Sequence, residues 1–102
     1  MTVAAFVPDL MDRSRLQGVV DTFVGSLAAL DDAEADVVVV DLSRSGAVEA
    51  LPALVARCSR VVAFGSHVDT ALLDAARATG AAVLPRSRFF ADPADAIASS
   101  TT

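Results

Sequence analysis

Short, unbroken apolar runs alternate along the chain with longer stretches in which apolar residues return every three or four positions. Residues 3–7 form the first run, with Val3 and Val7 at its ends and Pro8 closing it, as expected of a strand buried on both faces. Residues 37–40 are consecutive valines held between Asp36 and Asp41. Valine is stiff about χ1 and favours extended backbone, so this run predicts a central strand of a parallel sheet. Residues 60–64 repeat the signal, and residues 82–85 predict the last strand.

The intervening stretches carry helix signals. Asp12 or a nearby polar residue opens a first helix through Leu16, with its acid against the positive end of the helix dipole. Ser43, Ser45 and Gly46 form a turn into a helix that sets Val48, Leu51, Val55 and Cys58 on one side, with Pro52 kinking it or starting its regular part. Asp69 or Thr70 caps a helix through Leu72, Leu73, Ala75 and Ala76 that stops at Gly80. Asp92, Pro93 and Asp95 open a final short helix holding Ile97, and residues 98–102 read as a frayed tail after a single domain over residues 1–97.

The stretch after Leu16 admits two readings. Leu16, Val19, Val20, Phe23, Val24 and Leu27 permit one long helix, although Gly18 and Gly25 each weaken it by ~1 kcal/mol. The preferred reading breaks it into a short helix, a strand over residues 22–25 and a second short helix, because Thr22, Phe23 and Val24 suit a strand bounded by glycines. Either way, the alternation predicts right-handed crossovers. The expected fold is an α/β, flavodoxin-like three-layer sandwich with a central parallel sheet of four to five strands.

Composition narrows the function classes. The net charge is −5 and the eight arginines are dispersed, which leaves no basic stripe for nucleic acid or an anionic membrane surface. No apolar run approaches the ~18 residues of a membrane span, and residues 3–7 have no basic residue before them, so a cytoplasmic protein without a secretory signal is expected. Every basic residue is arginine, with no lysine or asparagine, a bias seen in proteins of GC-rich bacteria. The single cysteine, Cys58, reads as a buried small hydrophobe.

In a parallel sheet covered on both sides, chemistry gathers beyond the carboxyl ends of the strands. That rule collects Pro8 and Asp9, Asp41 and Ser43, Gly65 to His67, and Arg86 to Arg88 at one rim. Ser66, His67 and Asp69 are neighbours on one loop, where triad geometry is rarely met, so no catalytic residue is expected. Residues 8–14 contain no glycine, which argues against a phosphate loop, and no cysteine ends the first strand where a phosphocysteine carrier would need one. Arg86, Ser87, Arg88, Phe89 and Phe90 join guanidiniums to aromatic rings, a composition favoured at protein interfaces; the same rings would equally serve to cover the sheet edge.

In their order along residues 3–97, these features resemble response-regulator receiver domains of CheY-like type. The family ends its first strand with an acidic pair that helps hold Mg²⁺; here Pro8 and Asp9 stand there, so one acid remains. The resemblance makes Asp41, after the valine run, the candidate phosphoacceptor, and Asp9 and Asp41 the candidate Mg²⁺ ligands. Pairing of these acids with Arg86 or Arg88 is the preferred alternative, and a helix-capping or salt-bridged Asp41 the alternative to phosphoacceptance. The family's Thr or Ser after the fourth strand is replaced by Gly65, with Ser66 one step later, and its lysine aligns with Arg86, a larger planar donor. The loop over residues 43–46 is also shorter than the family's. These departures imply a degenerate receiver, or pseudo-receiver: a stand-alone signalling domain, not an enzyme, that needs no cofactor and acts through a protein partner or a homodimer independently of phosphorylation. The alternative is a Mg²⁺-dependent phosphoacceptor or small anion-binding domain using Asp41 with Asp9, Ser66 and Arg86.

Overall fold

The apolar runs become strands that lie side by side and point the same way. In the computed structural model, which describes residues 2–98, β1 (Val3–Phe6), β2 (Thr22–Phe23), β3 (Val37–Asp41), β4 (Arg60–Gly65) and β5 (Ala82–Pro85) make one five-stranded parallel sheet. The strand order is β2-β1-β3-β4-β5. Val3 pairs with Val37, Phe6 with Val40, Asp41 with Phe64 and Gly65 with Pro85, so the carboxyl ends of the four longer strands share one rim.

Period-two alternation divides each strand between two cores. Ala4, Phe6, Val38, Val40, Val61 and Ala63 face Leu30 of α2 (Leu27–Asp32), Leu51 and Leu54 of α3 (Ala47–Arg57), and Leu73 and Ala76 of α4 (Thr70–Arg77). On the other face, Val3, Ala5, Val37, Val39, Val62 and Phe64 meet Leu16 after α1 (Leu10–Arg15), Phe89 of α5 (Arg86–Ala91) and Ile97 of α6 (Pro93–Ala98). Every residue of β3 is buried, which is why its sequence shows no alternation. The architecture is the expected α/β three-layer sandwich with five strands.

Several local expectations are corrected. The broken reading of the stretch after Leu16 holds: Gly18 adopts φ +82°, which ends the first helical stretch, and Thr22 and Phe23 pair with Ala4 and Ala5. The first helix starts earlier than expected. Asp9, not Asp12, is its cap, and Asp12 turns inward from the first turn. Helix α3 starts at Ala47 and continues unbroken past Pro52, which therefore does not start it and gives up one backbone donor while Leu51 and Leu54 hold the helix in the core. Residues 86–90, weighed between an interface and a cover for the sheet edge, lie in the helix α5, and Phe89 takes the covering role. Cys58 is half-exposed at the end of α3, not buried. Ala98, placed in the tail by its sequence, is the last residue of α6; the rest of the expected tail, residues 99–102, lies outside the described residues.

The second core is closed by aromatic packing. Phe89 stacks on Phe64 with centroids 4.7 Å apart and planes 16° from parallel, and Phe90 meets both rings edge-on at 5.1 and 5.0 Å. Phe89 is fully buried. Phe89→Ala should therefore lower stability by about 3–5 kcal/mol in urea denaturation, with the transition remaining cooperative.

Candidate functional site

The rim at the carboxyl ends of the strands is organised around one ion pair. Helix α1 begins there, with Asp9 Oδ1 accepting from the backbone N–H groups of Met11 (2.9 Å) and Asp12 (3.0 Å). That cap turns the Asp12 side chain towards the sheet, where it is 3% exposed. Arg86 follows Pro85 directly, as the first residue of α5. Its Nη1 donates to Asp12 Oδ2 at 2.8 Å, and its Nη2 donates to Asp12 Oδ1. The result is a bidentate, charge-assisted pair that ties the first helix to the end of the last strand across the rim.

Aromatic faces complete the setting. The Arg86 guanidinium lies 4.8 Å from the Phe90 ring centroid and 5.8 Å from that of Phe64, while Arg15 approaches Phe90 at 5.3 Å. The Arg86 pKa is raised above the ordinary arginine value, first by the hydrogen bond to Asp12, against an opposing effect of burial, and further by the fields of Asp12, Asp41 and Asp9. All three acids of the rim thus act on one cation.

Asp41 ends β3 and is almost fully buried. Its Oδ1 accepts from the Ser43 backbone N–H at 3.0 Å and from Ser43 Oγ at 2.7 Å, and its Oδ2 faces Arg44 Nε at 3.8 Å. The carboxylate thereby closes an Asx turn at the strand end. Among the described residues, neither Asp9 nor Asp41 forms an ion pair with Arg86 or Arg88. The partner of Arg86 is Asp12, which the sequence suggested only as a helix opener. No signal in its own turn could have found it, because an acid in the first turn of a helix equally suits a solvent-facing position beside the cap.

The remaining candidates are dispersed. Gly65, where the receiver resemblance expects a hydroxyl, is enclosed: a Cβ there would stand 3.2 Å from Leu73 Cδ2 and 3.4 Å from Leu42 Cβ. Ser66 is exposed and its Oγ accepts from the Val68 N–H at 3.4 Å; His67 is exposed beside it, and Asp69 caps α4 through the Leu72 N–H at 3.2 Å. With Arg15, Arg86, Ser87 and Phe90, Ser66 and His67 line a depression of about 470 Å³. Arg88 is exposed and Phe90 half-buried, whereas Phe89, expected at an interface, is withdrawn into the core by its stacking on Phe64.

Among the described residues no three His, Cys, Asp or Glu side chains gather in a way that could hold a metal ion. Asp9 gives one oxygen to its cap, Asp12 gives both to Arg86 and Asp41 gives one to Ser43. Asp9 Oδ2 and Asp41 Oδ2 stand outside these hydrogen bonds. No helix among the described residues is long and apolar enough to cross a membrane.

No protein-family model matches the chain, and no curated protein matches it. Among solved structures, it superposes on the isolated REC domain of RcsB from Salmonella enterica serovar Typhimurium, in the apo form, with a TM-score of 0.70 over 91% of this chain and 81% of that one. The fold is that of a receiver domain. The sequences are 16% identical, so the likeness is one of architecture. Within this receiver fold, Asp41 stands at the end of the third strand in sheet-building order and Arg86 directly after the fifth.

Two consequences follow for stability. Arg86→Met would leave the Asp12 carboxylate buried and unpaired, at about 3–5 kcal/mol, whereas Asp12→Asn leaves a guanidinium that is 45% exposed and rehydrates, at about 1–2 kcal/mol; chemical denaturation should rank them in that order. A raised Arg86 pKa means its contribution is complete below the unfolded-state value and lost only as pH rises through the folded one. Because the sequence has no lysine or tyrosine, the melting temperature of a Cys58→Ser protein should stay level from about pH 9 to about pH 11.

Proposed function

We propose that this chain is a degenerate receiver-like domain that signals by binding a protein, and that phosphorylation does not gate it. The observation that carries this reading is the Asp12–Arg86 pair: a cation supplied by the chain itself already neutralises Asp12, one of the two buried acids of the rim. Such a pair is complete without metal or phosphate. The enclosure of Gly65 by Leu42 and Leu73, where a sensing hydroxyl would otherwise stand, supports it. So does the engagement of Asp41 by Ser43 and Arg44.

A binding role also fits the surface. Leu10, Met11 and Val68 are the large apolar side chains left exposed among the described residues, and they lie on the α1 start and the β4–α4 loop at the same rim. Arg88 and the half-buried Phe90 extend the contact surface along α5. The partner is a protein or a second copy of this chain, in a cytoplasmic setting, and no residue is given a catalytic role.

The competing reading, a Mg²⁺-dependent phosphoacceptor, rests on the position of Asp41 at the end of β3. Incubation with Mg²⁺ and a small acyl phosphate, followed by intact-protein mass spectrometry, separates the two. No added phosphoryl mass and no Mg²⁺-dependent change in melting temperature are expected. An adduct on the wild-type protein that disappears in Asp41→Asn would overturn the proposal.

A further inference from the structure

The opposite edge of the molecule from β2 is formed by β5, which pairs with β4 alone. Its residues are all half-exposed, in contrast to the buried β1 and β3. No turn or loop backbone bonds to Ala82, Val83 or Leu84, so their outward N–H and C=O groups remain open to a further strand. The covering layer gives way here: α5 stops after Ala91, and Asp92 (φ −153°, ψ 82°) with Pro93 turns the chain into the separate helix α6. What remains along the edge is a groove of about 710 Å³.

Its charge is unusual for so acidic a chain. Three of the eight arginines, Arg60, Arg77 and Arg88, line it with two acids, Asp92 and Asp95. Asp92 is occupied in capping α6, through the Asp95 N–H at 3.2 Å. Arg77 is tied to Asp74 of its own helix at 3.3 Å, a pair open to water and readily exchanged. Arg88 has no ion pair within 4 Å among the described residues. Arg60 donates from Nη2 to the Ala96 carbonyl at 3.3 Å, yet its buried Nε has no hydrogen-bond partner. The groove therefore holds more cationic donors than it satisfies.

We propose that this edge takes an extended acidic segment of a partner protein, which adds to β5 as a sixth strand and sets its carboxylates against Arg77 and Arg88. Backbone pairing would supply affinity, and the arginines would select acidic side chains. The inference rests on the protein-binding reading and names the partner's chemistry. A second copy is the poorer occupant, because the edge it would present carries three arginines against two acids and so complements the groove less well than an acidic segment does. A nucleic acid offers phosphates but no strand to pair, and the flanking Asp92 and Asp95 repel a continuous run of phosphate.

The test uses a fluorescein-labelled peptide of alternating Glu and Val, about eight residues long to span the edge, with a Gln and Val counterpart as control. Anisotropy should show binding of the acidic peptide only, and Arg88→Glu, an exposed change that leaves the core untouched, should weaken it about five-fold or more. Hydrogen exchange should slow at Ala82, Val83 or Leu84 in the complex. Absence of binding, equal binding of the Gln peptide, or indifference to Arg88→Glu would overturn the proposal. So would a dimer in light scattering that Arg88→Glu dissociates, or an oligothymidylate that competes for the groove. A partner protein that protects the rim residues and leaves the β5 amides exchanging freely would sink this inference while leaving the protein-binding reading intact.

Discussion

Burial of the valine strand on both faces is the constraint from which the rest of the molecule follows. Val37, Val38, Val39 and Val40 are each almost inaccessible, and each such side chain contributes about 1.5–3 kcal/mol when fully removed from water. A strand of that kind demands a parallel neighbour on either side and a helical layer above and below. Once those are in place, the register leaves no freedom at the strand ends. Asp41 must emerge where β1 and β4 also finish, and the loops that follow must converge.

Convergence brings charge together in a place partly shielded from solvent, and the chain resolves it internally. A buried carboxylate without a partner is among the costlier features a small domain can carry. Asp12 avoids that through Arg86, whose planar fork satisfies both oxygens and whose face rests on Phe90. The same guanidinium therefore serves electrostatics and packing, and links residues 74 positions apart in sequence. A lysine could provide the charge but neither the planar fork nor the flat contact.

What could be read in the sequence follows from the range of the forces involved. The strands were legible because β-branched runs declare themselves locally, and the Asp12-to-Leu16 stretch and the Asp92–Pro93 step carried recognisable start signals, even though the cap proved to be Asp9. The receiver likeness rested on the order of such local features, and the fold agrees with it. Helix α5 was not legible. Its sequence pattern is too short to show a period, and only the presence of Phe64 across the core makes Phe89 an inward residue. Asp12 was missed for the same reason. Its role depends on a partner distant in sequence, and nothing within its own turn distinguishes a solvent-facing acid from one that meets Arg86. The groove beside β5 is invisible for a third reason, since an open edge is a property of strand order and not of any residue.

The crowding at Gly65 couples the end of β4 to the layer that covers it. A Cβ at Gly65 would meet Leu73 and Leu42 so closely that a larger side chain at the end of β4 requires these neighbours to shift by a few tenths of an ångström. Both belong to the packed interior, so trimming either one first leaves a void in the core. The glycine thus fixes how closely the β4 end and the α4 layer approach, and a change at residue 65 is coupled to the two leucines that enclose it.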